Sequence, residues 1–286
     1  MPTTLADLAI SGRTAVMGIV NVTEDSFSDG GKYLAVDAAV DHARELVARG
    51  ADIIDVGAES TRPGATRVPA EVEAQRIRPV IEALHAAGIR TSIDTMRAST
   101  ARVAAEAGVD LINDVSGGLA DPDMYRVMAE TDLPVCLMHW RAATFGDAAG
   151  AADHGGDVVR DVREVLARLT DNAVAAGVDP RNISVDPGLG FAKTAQENWE
   201  LLAALPQFTA GDYPVLVGAS RKRFLTEIRK DRGLTHSPVD ADPATAAVTA
   251  LSAQAGAWCV RVHEVAVSRD AVDVVARWQR AKEGNV

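Results

Sequence analysis

The stretch Ile183-Ser-Val-Asp-Pro-Gly-Leu-Gly-Phe191 sets a carboxylate, Asp186, at the point where a short apolar, β-branched run meets a turn built on proline and two glycines. Proline fixes φ and glycine permits positive φ, so the pattern predicts a buried strand ending at Asp186 and opening into a tight loop. Other apolar runs end the same way. Their ends carry Asn21; Glu59, Thr61 and Arg62; Asp94; Asn113 and Asp114; His139; Ser220 and Lys222; and Arg261 with His263. Each has a plainer structural reading. Asp186 and Asn113-Asp114 suit turns, Asp94 suits a helix cap, His139 a core histidine and Lys222 a solvated helix start. Arg261 and His263 are harder to dismiss, because alternate residues of one strand point to the same side of a sheet. Together, carboxylates and a carboxamide suit the polar edge of a planar heterocycle, since buried acceptors discriminate strongly for donors. Arginine, histidine and lysine suit phosphate or pyrophosphate. The set reads as a site for a polar fused ring carrying a phosphorylated arm.

The elements that must position these residues alternate strand and helix along the chain. Expected strands are 15–23, 52–57, 91–95, 111–116, 135–139, 183–186, 214–220 and 259–263. Helical periodicity covers 35–49 (with Gly50 as its C-terminal signal), 70–87, 98–107, 123–131, 158–176, 197–205, 243–255 and 271–282. Residues 221–239 combine a basic, helix-like start with a polar connection. Eight β-then-α units with continuously apolar strands predict a parallel sheet covered by helices, and eight such units close a (β/α)8 barrel with its site at the strands' C-terminal ends. An open doubly wound sheet is the alternative. Against it, no G-x-G-x-x-G follows the first strand and no Walker A loop occurs.

Composition bounds the rest. A chain of 286 residues buries roughly three quarters of its unfolded surface and suits one barrel domain spanning 1–286, with a short N-terminal extension before a first strand that begins near residue 15. With 47% hydrophobic and 24% charged residues and a mean hydropathy of +0.01, it reads as an ordinary globular chain. A net charge of −11 argues against nucleic-acid binding and makes each cation at a strand end worth naming. No signal-peptide pattern or membrane-length apolar run occurs, so a cytoplasmic location without membrane partners is expected. Cys136 and Cys259 lie in apolar strand-like runs and are expected to be buried thiols rather than a disulfide. Residues 141–156, rich in Ala, Gly and Asp, read as loop.

Seven motifs in order carry a resemblance. They are Gly18-Ile-Val-Asn-Val-Thr-Glu-Asp-Ser-Phe-Ser-Asp-Gly-Gly31, Asp55-Val-Gly-Ala-Glu-Ser-Thr-Arg-Pro-Gly64, Ser92-Ile-Asp-Thr95, Asn113-Asp-Val-Ser-Gly117, Asp186-Pro-Gly-Leu-Gly-Phe191, Gly218-Ala-Ser-Arg-Lys222 and Arg261-Val-His263. The chain thereby resembles the dihydropteroate synthases, pterin-binding enzymes with an α/β, (β/α)8 TIM-barrel fold and mobile loops after strands one and two. The resemblance implies condensation of 6-hydroxymethyl-7,8-dihydropterin pyrophosphate with 4-aminobenzoate, giving dihydropteroate and pyrophosphate, with Mg²⁺ required. It also implies roles for residues. Asp186 takes the pterin's 2-amino and N3 edge, with Asp94 and Asn113 completing the ring contacts. Lys222 touches the pterin and flanks the aminobenzoate. Arg261, His263 and Asn21 hold pyrophosphate, Asn21 also as a Mg²⁺ ligand. Thr61 and Arg62 belong to the second loop, Ser220 meets the benzoate carboxylate, Phe191 its ring, and Met138 is a further substrate contact. Lys222, Arg261, His263 and Arg62 are the implied catalytic set. The resemblance further implies a homodimer and sulfonamide-type inhibitors. Two other readings stand beside it: a methyltransferase acting on a pterin, and a non-catalytic pterin-binding relative.

Overall fold

The computed structural model describes residues 3–22, 32–59, 68–141 and 152–284. Among them the apolar runs form eight parallel strands: β1 (Ala15–Asn21), β2 (Ile53–Gly57), β3 (Thr91–Asp94), β4 (Leu111–Asp114), β5 (Val135–Met138), β6 (Ile183–Asp186), β7 (Leu216–Val217) and β8 (Cys259–Val262). Hydrogen bonding runs β6-β5-β4-β3-β2-β1-β8-β7, and a bridge between Val185 and Val215 joins the two ends into a barrel. The closing seam is thin. The run expected as a strand over 214–220 is regular only at Leu216–Val217: at its start Pro214 has no N–H to give the ladder and serves only as an acceptor, 2.9 Å from Val185 N, and at its end the chain leaves the ladder for the turn at Ser220–Arg221.

Helices return the chain between strands: α2 (Lys32–Ala48), α3 (Ala70–Ala86), α4 (Ala98–Glu106), α5 (Met124–Thr131), α6 (Val158–Ala175), α7 (Ala195–Ala203), α8 (Leu205–Thr209), α9 (Arg223–Asp231), α10 (Asp242–Gln254) and α11 (Val265–Lys282). The last of these differs most from expectation. The periodicity placed the last helix at 271–282, but α11 starts six residues earlier. Glu264 caps it by accepting from Ala266 N, and Val265, Ser268, Val272, Val275 and Ala276 give it one buried stripe. The N-terminal extension also contains a helix, α1 (Leu5–Leu8), held by a reciprocal capping box between Thr4 and Asp7.

The core has two layers with different owners. Between strands and helices lies a large apolar shell built on Val16, Ile54, Ile77, Leu84, Ile112 and Leu169. Inside the barrel, Met17, Ile53, Leu111, Cys136, Leu216 and Cys259 fill the N-terminal half, and Leu5 and Leu8 of α1 pack against this cluster. Cys136 and Cys259 are buried free thiols, as expected, and burial pushes both thiols up in pKa. None of the helices among the described residues is long and apolar enough to cross a membrane.

Candidate active site

Strand periodicity explains how one barrel carries an apolar floor and a polar mouth. Side chains alternate across a strand, so the residue two positions after each floor residue points into the same lumen. Ile53 is followed by Asp55, Leu111 by Asn113, Cys136 by Met138, Ser184 by Asp186 and Cys259 by Arg261. Register pairs Asp94 with Asn113 and Met138 with Asp186 on neighbouring strands, while Arg261 stands beside Met17 of the floor.

Among these residues the charges interlock. Arg261 donates through Nε to Asp55, at 2.5 Å, and through Nη2 to Asp94, at 2.7 Å. Asn113 sits beside Asp55, its Nδ2 at 3.4 and 3.5 Å from the two carboxylate oxygens. Asp186 accepts from Gly188 N through Oδ1, at 2.7 Å. Lys222 donates to the carbonyl of Leu189 and lies over the Phe191 ring, 4.6 Å from its centroid. Asp55, Asp94, Asn113 and Asp186 are all buried. Three carboxylates therefore face two cations in a space with little water. Burial pushes Asp94 up to about 7 although Arg261 pulls the other way, and raises Asp186 against the pull of Lys222. Burial brings Lys222 down to about 8 against the pull of Asp186. Arg261 is also disfavoured by burial, but Asp55 and Asp94 outweigh that and raise it. A surplus of buried acceptor oxygen is what a ligand edge rich in N–H donors would satisfy.

The other expected residues among those described lie at neighbouring strand ends and in the loops that follow them. Ser220 Oγ lies 3.0 Å from His263 Nδ1 and accepts from His263 N at 3.1 Å, so β7 and β8 present both at one rim. The next residue, Arg221, adopts a left-handed φ of 58° and is held by two 2.8 Å bonds to Asp242. A non-glycine residue in that region is uncommon and marks a turn under constraint, here the one that aims Lys222. Met138 joins Met96 and Val115 in an apolar ledge against which Phe191 and Trp140 pack, their rings 5.5 Å apart. Asn21 ends β1 with an exposed side chain. Thr61 and Arg62 lie outside the described residues, as do most of the loops expected at 24–32, 59–68 and 141–156.

Three residues escaped the sequence reading. Asp55 is fully buried beneath Arg261, and its signal was available, since it stands two residues after Ile53 in phase with the other lumen residues. Lys193 is a buried cation whose Nζ meets His139 Nδ1 (3.0 Å), Gly188 O (2.9 Å) and Phe191 O (3.1 Å). Burial brings it down to about 7, and burial together with Lys193 brings His139 down to about 2. Lys193 thus ties the loop after β6 to the end of β5. His154 packs beside His139, and no sequence spacing announced that meeting.

A family model described as pterin binding enzyme matches residues 17–263. The dihydropteroate synthase of Mycobacterium leprae is 51% identical over 267 residues, covering 93% of this chain and 94% of that protein. Among solved structures, Xanthomonas albilineans dihydropteroate synthase with 4-aminobenzoic acid superimposes with a TM-score of 0.83 and 42% identity, covering 97% and 96% of the two chains. The Burkholderia cenocepacia dihydropteroate synthase complexed with 7,8-dihydropteroate gives 0.84 at 37% identity, covering 95% and 94%. The barrel, its buried acid cluster and these likenesses along nearly the whole chain agree, and the chain belongs to the pterin-binding enzymes as a member of the dihydropteroate synthase family.

Proposed function

We propose that this chain condenses 6-hydroxymethyl-7,8-dihydropterin pyrophosphate with 4-aminobenzoate to 7,8-dihydropteroate and pyrophosphate, using the mouth of the barrel as its site. The observation that carries the assignment to this site is the surplus of buried acceptors: Asp94 and Asp186, with Asn113, close around a space whose cations number fewer than its carboxylates. A pterin offers ring and amino N–H groups to these acceptors. Asp186 takes the 2-amino and N3 edge, and Asp94 and Asn113 complete the ring. Lys222 lies between that ring and the Phe191 face, which suits the aminobenzoate. Ser220 meets the benzoate carboxylate, and Met138 adds an apolar contact.

In this reading the C–O bond to pyrophosphate breaks first, and pyrophosphate leaves with the electron pair. The pterin methylene cation is then attacked by the arylamine nitrogen, forming the C–N bond as the amine gives up a proton. Arg261, His263, Asn21 and, in the second loop, Arg62 and Thr61 stabilise the departing anion. Asn21 offers an exposed carboxamide oxygen, a donor type that would help to hold Mg²⁺. Bound there, Mg²⁺ would supply charge neutralisation at the leaving group. Arg261, His263 and Lys222 at one mouth favour this reading over methyl transfer or simple pterin binding. A cytoplasmic setting for the reaction is part of this proposal. Two copies are expected to pair through α10 and α11, where Leu251, Val267, Val274 and Trp278 are exposed. Sulfonamide-type compounds are expected to compete with 4-aminobenzoate.

The test is product formation from both substrates with Mg²⁺, dihydropteroate being identified by mass. Two charge-assisted hydrogen bonds at about 1.5–3 kcal/mol each set a loss of at least about 100-fold for Asp186→Ala. Pterin binding without dihydropteroate under any metal condition would leave a non-catalytic binder.

A further inference from the structure

Outside the acid cluster, three side chains converge that the proposed reaction does not use. His139, at the end of β5, His154, just before α6, and Asp161, in the first turn of α6, bring one ligand atom each to within 4.8 Å of one another. His154 Nδ1 is 2.7 Å from Asp161 Oδ2, and His139 Nε2 is 3.7 Å from the same oxygen. Both imidazoles are buried, while Asp161 keeps a side-chain exposure of 13% and so leaves an entry path.

Two features of the hydrogen bonding suit a cation at this cluster. His139 Nε2 is fully buried and has no hydrogen-bond partner, although it is aimed at the cluster. Its other nitrogen faces Lys193 Nζ; a metal at Nε2 requires Nδ1–H, which the neutral form of that amine accepts while donating its two N–H groups to Gly188 O and Phe191 O. His154, by contrast, faces oxygen on both sides, with Ala192 O 3.1 Å from Nε2 and Asp161 Oδ2 at Nδ1. A neutral imidazole donates from one nitrogen only. A cation at Nδ1 would let Nε2–H keep the Ala192 carbonyl, the kind of outer contact that orients a metal-bound histidine. Asp161 is oriented likewise, its Oδ1 accepting from Arg141 Nη2 at 2.7 Å.

We propose that His139 Nε2, His154 Nδ1 and Asp161 Oδ2 form a site for a divalent first-row transition metal, Zn²⁺ above all, with water in the fourth position. Zn–N and Zn–O distances near 2.0–2.2 Å place tetrahedral ligand atoms roughly 3.3–3.5 Å apart, between the two spacings found here. Two imidazoles select against Mg²⁺, which prefers an all-oxygen shell, so this site differs in kind from one at the pyrophosphate. Its role would be a clamp. One ion would join the end of β5, the first turn of α6 and, through Ala192 O, the loop after β6 that carries Phe191.

The experiment uses the full-length protein stripped with a chelator and titrated with Co²⁺ as a visible-absorbance probe, followed by displacement with Zn²⁺ and metal counting by mass spectrometry. The expected result is one Co²⁺ per chain, displaced by Zn²⁺, and a higher melting temperature with Zn²⁺ bound. Asp161→Asn and His154→Ala should each weaken binding by more than the roughly 10–100-fold that an outer-sphere partner costs. His42→Ala, at an exposed histidine of α2, should bind as the parent does. Circular dichroism of the variants separates lost binding from lost folding. A protein that takes up no stoichiometric Co²⁺ or Zn²⁺, or folded variants that bind like the parent, would overturn the site and leave an ordinary His154–Asp161 hydrogen bond.

Discussion

Asp94 shows how burial turns an ordinary residue into a chemical instrument. Its carboxyl is held up to about 7 by loss of water, with Arg261 and neighbouring carboxylates pulling in opposite directions. An acceptor for pterin N–H groups must be ionised, and the ionised fraction grows as pH rises through that value. Pterin affinity is therefore expected to increase from about pH 6 to about pH 8, and the increase should vanish in Asp94→Asn. Calorimetric titration of the pterin at several pH values checks this. A flat profile in the parent would mean that Arg261 keeps Asp94 ionised throughout. Arg261 itself stands between the two ends of the site: in this structure it pairs with Asp55 and Asp94, whereas the resemblance assigns it to pyrophosphate.

At the scale of elements, the loop after β6 does the positioning, and its glycines do so in different ways. Gly188 has φ 70°, and a Cβ there would be driven into the backbone carbonyl of His139. Gly190 has φ 77°, and a Cβ there would sit 2.7 Å from Lys222 Cδ, the stem of a flexible side chain. Alanine at Gly190 is therefore expected to be tolerated by the fold, at about 1–2 kcal/mol for the left-handed backbone. It should nevertheless displace Lys222, and a shift near 1 Å at a substrate contact can cost on the order of 100-fold in rate. The expected outcome for Gly190→Ala is a turnover reduced at least about 10-fold with a modest fall in urea midpoint. Equal losses in both would assign the glycine a purely structural role.

For the whole molecule, the barrel separates stability from chemistry along its axis. Leu8 is fully buried at the floor, against the apolar half of the lumen. Leu8→Ala is expected to cost about 2–5 kcal/mol in denaturant unfolding while leaving KM for both substrates unchanged, since the polar mouth lies at the other end of the strands. The outer helices carry the surface on which pairing of two copies is proposed. Val267, Val274 and Trp278 recur at i, i+7 and i+11 on α11, a spacing that sets them on one stripe, and all three are exposed. Charge on that stripe, as in Val274→Glu, should shift a dimer toward monomer in sedimentation velocity without changing the circular dichroism. Val275, one residue on, faces the core instead.

Much of this was legible in the residues because it is local. Alternation along a strand, helical stripes and glycine-bearing turns are properties of neighbouring residues, and they located all eight strands, with the candidates among the described residues at their ends or in the loops just beyond. β7 was read too long because Pro214 trims its start and the turn at Ser220–Arg221 its end, and α11 too short because Arg269 and Asp270 masked its first buried turn. What the sequence could not settle is which strand ends meet. Arg261 reaches Asp55 across 206 residues and Asp94 across 167, and only closure of the barrel makes them neighbours. Likewise His139, His154 and Asp161 come together through the packing of α6 against the end of β5. Local pattern determined the strand ends and their chemistry; tertiary closure decided the pairings, the burial and hence the shifted acidities.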